Sequence, residues 1–305
     1  MLIALAPVSI FGVVIFGLPA LLNIVVAAGS AIAGEALFRL ATRQPLRVKD
    51  CSAGITGILL ALVIPPSLPL WMTALGAVFA VVVGKEFFGG LGANVFNPAL
   101  VGRAFLMMSF PAAMTTWHDP QPGFALALPD AASSASHLYT MEGGAVISGP
   151  YWQVMQELFF GYRAGCTGET SIMLILAAFI FLLATRTIDW SAPVSMVMVS
   201  VVAALALGLD PLFTVLSGGL VFGAVYMATD YVTTPVTFWG KIIFGAGAGL
   251  ITILVRKWGG YPEGVSYGIL IMNCAVPYLN RLLSRKYGFV PKKKPAKEGG
   301  KEAAR

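Results

Sequence analysis

Cys166-Thr167-Gly168-Glu169-Thr170-Ser171 leads directly into Ile172-Met173-Leu174-Ile175-Leu176-Ala177-Ala178-Phe179-Ile180-Phe181-Leu182-Leu183, so a polar loop gives way to an unbroken apolar run. A long run without two-residue alternation reads as a helix rather than a half-buried strand. Ser and Thr at its start suit a helix cap, because a side-chain oxygen satisfies an orphan backbone N–H. Similar runs precede the loop at Leu2–Phe16, Leu18–Ala41, Gly54–Ile64, Leu68–Val83 and Pro98–Ala113. Others follow it at Ser171–Ala184, Ala192–Leu207, Leu212–Ala228, Gly240–Val255 and Val265–Leu282.

The 305 residues are 57% hydrophobic and 11% charged, against roughly 25% charged in a soluble domain. One soluble core cannot hide that much apolar surface. Lipid is the solvent this composition suits, and only helices or closed barrels satisfy the backbone there. The expectation is an all-α polytopic membrane protein with about ten spans. The membrane domain covers 1–284, with a first repeat over 1–113, an external loop over 114–170 and a second repeat over 171–284. The third and sixth runs are the shortest, and short spans in matching halves predict discontinuous helices around a buried site. Gly54–Leu60 resembles Gly165–Ser171, and Asn97–Arg103 resembles Thr234–Lys241. Five spans per half predict inverted repeats.

The net charge is +6, and the stretch 285–305 carries eight basic and two acidic residues, which accounts for all of it. It reads as a disordered cytoplasmic tail. Placing the N-terminus inside puts Arg43, Arg47, Lys49, Lys85, Arg186 and this tail on the cytoplasmic side. Met114–Thr170 then lies outside, with Asp119, Asp130, Glu142, Glu157 and Glu169 against Arg163. Arg256 and Lys257 run against this orientation. Met1 opens the first span without a cleavable signal pattern. Tyr151–Phe160 reads as a short interfacial helix that holds the following loop at the membrane surface.

Cys51, Cys166 and Cys274 are far apart, and His118 and His137 share one loop, so no metal or iron–sulfur ligand set is expected. Basic residues without interleaved aromatics argue against nucleic acid. Two polar islands stand out. Gly89–Pro98 carries Asn94 and Asn97, which offer amide donors and acceptors beside glycines that permit close approach. It serves equally as a tight connector. Thr229–Thr237 holds Asp230 among threonines, including Thr233 and Thr234. An ionisable residue there points to function, as against a helix cap. Such oxygen-rich islands suit a cation path or contacts to a cofactor. Glu35 and Arg103, embedded in apolar sequence, are candidates to pair with each other or with a partner subunit. Gly259–Val265 reads as an external turn.

Together, Gly89–Leu106, Gly168–Ser171, Met227–Gly240 and Gly259–Asn273 resemble the signature blocks of the RnfD/NqrB family, in order and over nearly the whole chain. The short N-terminal region is more similar to the Rnf branch. The resemblance implies an inner-membrane electron-transfer subunit of a prokaryotic complex that couples ferredoxin/NAD chemistry to Na⁺ or H⁺ movement. It implies FMN esterified through its phosphate to Thr170 on the outer face, with Thr167, Gly168 and Ser171 completing the attachment motif. It also implies a flavin transferase for maturation, and a second, non-covalent flavin (riboflavin or FMN). Asn94, Asn97 and Arg103 are candidate cofactor contacts, while Asp230, Thr233 and Thr234 are candidates for an ion pathway. The expected partners are the other Rnf-type membrane subunits, a second covalent-flavin subunit, and ferredoxin and NAD through them. No catalytic acid–base pair is needed, since the redox chemistry belongs to the cofactor. Gly168 is expected to let phosphate and transferase approach, and the following helix N-terminus to stabilise the phosphate. The competing readings are a transporter or channel without a redox cofactor, and a structural scaffold.

Overall fold

The computed structural model describes residues 1–46, 50–118, 120, 150–259 and 264–283. The basic tail, Arg47, Lys49, most of the expected external loop and residues 260–263 lie outside them. Among the described residues every regular element is helical. The elements are α1 (Leu2–Phe16), α2 (Leu18–Ala41), α3 (Ser52–Leu62), α4 (Leu70–Val82), α5 (Pro98–Ser109), α6 (Pro111–Met114) and α7 (Tyr151–Phe160). There follow α8 (Ile172–Ala184), α9 (Ser191–Ala206), α10 (Pro211–Leu216), α11 (Leu220–Phe222), α12 (Phe238–Trp258) and α13 (Val265–Leu283). Among the described residues three stretches are long and apolar enough to cross a membrane: Leu18–Ala41, Leu70–Phe88 and Phe238–Trp258.

Local chemistry sets the boundaries. Asn97 Oδ1 accepts from the N–H groups of Ala99 (3.1 Å) and Leu100 (3.4 Å), with Pro98 in the first turn of α5. Asp210 and Pro211 repeat the device at α10, with Leu212 N at 2.9 Å and Phe213 N at 3.1 Å from the carboxylate. Both pairs combine a cap with a proline whose missing N–H costs nothing in a first turn. Pro111 splits the expected Pro98–Ala113 run into α5 and α6, since its ring cannot continue a helix from Phe110.

The discontinuities differ in part from expectation. The third run is short, as predicted, and is followed by the non-helical stretch Val63–Pro69. The sixth run is one continuous helix, α8. The break falls instead in the eighth run, Leu212–Ala228, which stops at Ser217, resumes as α11 and closes in a π turn over Gly223–Met227. Gly218 adopts φ 63° at this break, a conformation that disfavours side chains.

The helices α9 and α12 pack along each other, α2 lies against both α3 and α4, α5 against α4, and α13 against α12. Where α2, α3 and α4 meet, four charges are buried. Lys85 Nζ lies 2.7 Å from Glu35 Oε2, and Arg39 Nε 3.1 Å from Glu86 Oε2. Arg39 Nε also lies 3.5 Å from Glu35 Oε1. Two acids and two bases make the cluster neutral, which is how buried ions are tolerated. Glu35 therefore pairs within its own layer and not with Arg103.

Lys85→Met would strand Glu35 beside a single remaining cation. A cost of about 3–5 kcal/mol is expected for a broken buried pair, read as a lower melting temperature of the purified chain in detergent. Glu35→Gln added to Lys85→Met should recover part of that loss.

Candidate functional site

The loop Arg163–Ser171 is a docked segment of fixed shape. Its backbone meets the C-terminal end of α3, where the last carbonyls of a helix lack partners. The Gly168 N–H donates to Leu62 O at 2.7 Å and the Thr167 N–H to Ile64 O at 3.4 Å, while the Cys166 thiol donates to Val63 O at 3.2 Å. Gly168 is required by this approach. A Cβ there would stand 2.5 Å from Leu62 Cβ. The space in front of Gly168 is thus filled by α3, which corrects the expectation that it is kept open for a phosphate or a transferase.

The same segment reaches the break after α10. Arg163 donates to Leu216 O (2.6 Å), Gly218 O (3.3 Å) and the Glu169 carbonyl. Arg256 donates to Thr214 O (2.7 Å) and Ser217 O (3.2 Å). Glu169 sits against the α carbon of Gly219, where no side chain would fit, and 3.5 Å from Arg103 Nη1. Arg103 also donates to Ser266 Oγ at 3.1 Å. Arg103, Arg163, Arg256 and Glu169 are all buried.

The helix cap falls one residue later than the Thr170 position. Ser171 Oγ accepts from Leu174 N at 3.4 Å and caps α8. Thr170 is 0% exposed, and its hydroxyl has no hydrogen-bond partner; the Thr167 hydroxyl is in the same state. An unpaired buried hydroxyl is costly.

The remaining candidates gather elsewhere. Asn94, Asn97 and Asp230 line a cavity of about 240 Å³ together with Lys85, Tyr226 and Thr229. Asn97 spends its amide oxygen on capping α5. Asn94 donates to Phe96 O at 3.1 Å, and its oxygen is buried without a partner. Asp230 accepts from Thr233 Oγ1 at 3.0 Å and from Val232 N at 3.4 Å. Burial nonetheless holds its carboxyl above the usual carboxylate range, against those two hydrogen bonds. Thr234 turns away and donates to Ala228 O at 3.0 Å. At the cavity edge, burial disfavours the Asp50 carboxylate, but two hydrogen bonds from Ser52 and the nearby Lys85 and Arg39 outweigh it and hold its pKa down. Arg103 belongs to the Glu169 cluster and does not line this cavity. The sequence-predicted residues therefore form two groups.

Sequence reasoning passed over Arg163, Arg256, Lys85 and Tyr226. Two of them carried a signal: Arg163 is the lone cation of an acidic loop, and Arg256 breaks the charge asymmetry. Tyr226 carried none. It sits in the π turn and donates to Ala4 O at 2.8 Å, and such turns concentrate at functional sites.

Residues 1–288 match the family described as NQR2, RnfD, RnfE. The chain belongs to this family. It is 40% identical, over 97% of its length and 91% of the relative's, to the D component of the Na(+)-translocating ferredoxin:NAD(+) oxidoreductase complex of Acetobacterium woodii. It is 39% identical to the D component of the proton-translocating ferredoxin:NAD(+) oxidoreductase complex of Clostridium ljungdahlii, over 92% of this chain and 87% of that one. It is 38% identical to the D component of the ion-translocating oxidoreductase complex of Stutzerimonas stutzeri, over 96% and 92%.

Gly168→Ala should undock the segment from α3. A loss of about 1–3 kcal/mol is expected for overpacking at a rigid contact, together with faster proteolytic cleavage between Arg163 and Ser171. Gly165→Ala, which meets nothing within 4 Å, is the matched control.

Proposed function

We propose that the chain is the D-type membrane component of an Rnf complex, carrying electrons between partner subunits through FMN esterified to Thr170. The complex would couple ferredoxin/NAD redox chemistry to cation movement. The unpaired Thr170 hydroxyl carries the reading. Ser171 does the capping, which leaves the buried Thr170 hydroxyl, like that of Thr167, without a structural task. The residues fit the group in charge as well: three buried guanidiniums stand around one carboxylate within this segment and its supports. When bound, FMN supplies one- and two-electron redox chemistry. The chain's own part is to hold the attachment segment rigid against α3 and α10 and to surround it with positive charge. Because Thr170 is buried, esterification by a flavin transferase would precede docking of Arg163–Ser171 or require its release.

The cavity beside Asn94 and Tyr226 is the place we assign to a second, non-covalent flavin. Its volume lies just under the roughly 300–1,000 Å³ of whole-ligand pockets, so it suits a planar ring system. Asn94 Oδ1 is the free acceptor for a ring N–H, and Tyr226 supplies an aromatic wall. Asp230, on the same cavity, and Thr233, which donates to it, are the candidates for the cation path.

We further read the architecture as two inverted sets of five spans in the cytoplasmic membrane, with both termini cytoplasmic and Thr170 on the outer side. Support comes from the packing order. In each set the second element packs on the third and fourth, and the fourth on the fifth: α2 with α3 and α4, and α4 with α5, against α9 with α10 and α12, and α12 with α13. The discontinuous element is the third in each set. The quoted repeat segments align less well, since Gly54–Leu60 lies within α3 while 165–171 is a loop.

The full chain co-expressed with a flavin transferase should give a denatured gel band that fluoresces under ultraviolet light, and Thr170→Ala should abolish it at unchanged expression. A dark wild-type band under those conditions overturns the flavin assignment and favours a transporter without a redox cofactor. Asp230→Asn should lower ion-coupled turnover of the complex far more than flavin content. Unchanged ion transport removes Asp230 from the path.

A further inference from the structure

A second recess opens beside the Asn94 cavity, in the loop between α8 and α9 and at the first turn of α12. It has a volume of about 290 Å³ and is lined by Arg186, Asp189, Lys241, Thr234 and Val236 among others. Lys241 pairs with Asp189, and Arg186 adds a second cation to that one carboxylate. The N-terminus of α9 faces the same recess through Ala192, and its N-cap residue Trp190 makes no side-chain cap. The partial positive charge of this helix start adds to the two cations.

The walls beyond the recess are apolar and exposed. Trp190 is 53% exposed and Trp239 66%. Both pack edge-on against Phe238, at 5.8 Å in each case. Aromatic side chains of this kind collect at the level of lipid headgroups, and basic recesses between membrane helices take anionic headgroups. A soluble anion would need the cations alone. The three exposed rings, close in sequence to Asp189 and Lys241, are the feature that a molecule with a charged head and long acyl chains uses in full.

We propose that this recess binds one anionic phospholipid, its phosphate against Arg186 and Lys241 and its acyl chains over Trp190, Phe238 and Trp239. Asp189 competes with the phosphate for Lys241, so the site is held closed by its own carboxylate until a lipid displaces it. The proposal rests on membrane placement and not on any flavin, and it assigns a lipid contact to the surface next to the Asp230 loop.

The test is native mass spectrometry of the full chain in mild detergent, titrated separately with phosphatidylglycerol and phosphatidylcholine. Wild type should retain one phosphatidylglycerol more tightly than phosphatidylcholine. Arg186→Ala with Lys241→Ala should weaken that one adduct by roughly tenfold or more, while Asp189→Asn should strengthen it. Trp190→Ala with Trp239→Ala should weaken it with both cations in place. Equal retention of the two lipids, an adduct indifferent to the cation pair, or weaker binding in Asp189→Asn overturns the proposal. So does displacement by millimolar inorganic phosphate, which would make the recess a small-anion site.

Discussion

The Gly168 N–H, donated to the last carbonyl of α3, is the contact on which the rest of the molecule turns. A helix that stops inside an apolar body leaves carbonyls with no water to accept from. Each such group left unpaired costs on the order of 1–3 kcal/mol, and more in lipid. Two helices, α3 and α10, stop in this way. The segment Arg163–Ser171 satisfies both, with backbone and thiol donors for Leu62, Val63 and Ile64 and the Arg163 guanidinium for Leu216 and Gly218. Arg256 completes the second end from α12. The segment that carries Thr170 is therefore a keystone between two broken helices, and its rigidity follows from the need to pair their carbonyls.

This explains why buried charge is handled in two ways in one chain. Glu35, Arg39, Lys85 and Glu86 neutralise one another, with one further hydrogen bond each from Lys85 to Ser52 and from Arg39 to the Pro45 carbonyl. The arginines around Glu169 outnumber the acids. Their excess is absorbed by carbonyl dipoles at the end of α10, which present the partial negative charge of a helix C-terminus. The first arrangement is a structural staple between α2 and the turn that follows α4, tied to α3 through Ser52. The second leaves an excess of buried positive charge around the segment that carries the unpaired Thr170 hydroxyl. Under the proposed function, that combination suits an esterified phosphate.

Much of this was legible in the residues, and the parts that were not have physical reasons. The edges of α1 and α2 follow directly from hydrophobicity, and the start of α5 from an adjoining cap and proline. The break after α10 was hidden because Ser217-Gly218-Gly219 is too small a gap in a long apolar run. At this gap Glu169, distant in sequence, occupies the place of a side chain at Gly219. For the same reason Gly168 was assigned to the wrong neighbour: a glycine announces close approach but not by what. Arg256, which runs against the expected charge asymmetry, is buried and pairs carbonyls at the end of α10. A residue recruited to pair buried carbonyls is exempt from a rule about which loops translocate. Glu35 pairs with Arg39 one turn on in its own helix and with Lys85 in the turn after α4, and the second pairing is one that no one-dimensional pattern marks.

Relatives of almost equal similarity, at 40% and 39% identity, bear the names of different coupling ions. Overall likeness is then no guide to the ion, and on the reading proposed here the Asp230 loop suggests why. Burial disfavours the Asp230 carboxylate, and its oxygens retain lone pairs beyond those used by Thr233 and Val232. Such a group is relieved by any cation that neutralises it. A proton does so by raising the occupancy of the acid form, and Na⁺ does so by coordination to hard oxygen ligands. One carboxylate in one loop serves either ion. Selectivity then rests on the few neighbouring oxygens that decide whether a dehydrated ion can be held, and a handful of substitutions in that shell changes the ion without changing the fold.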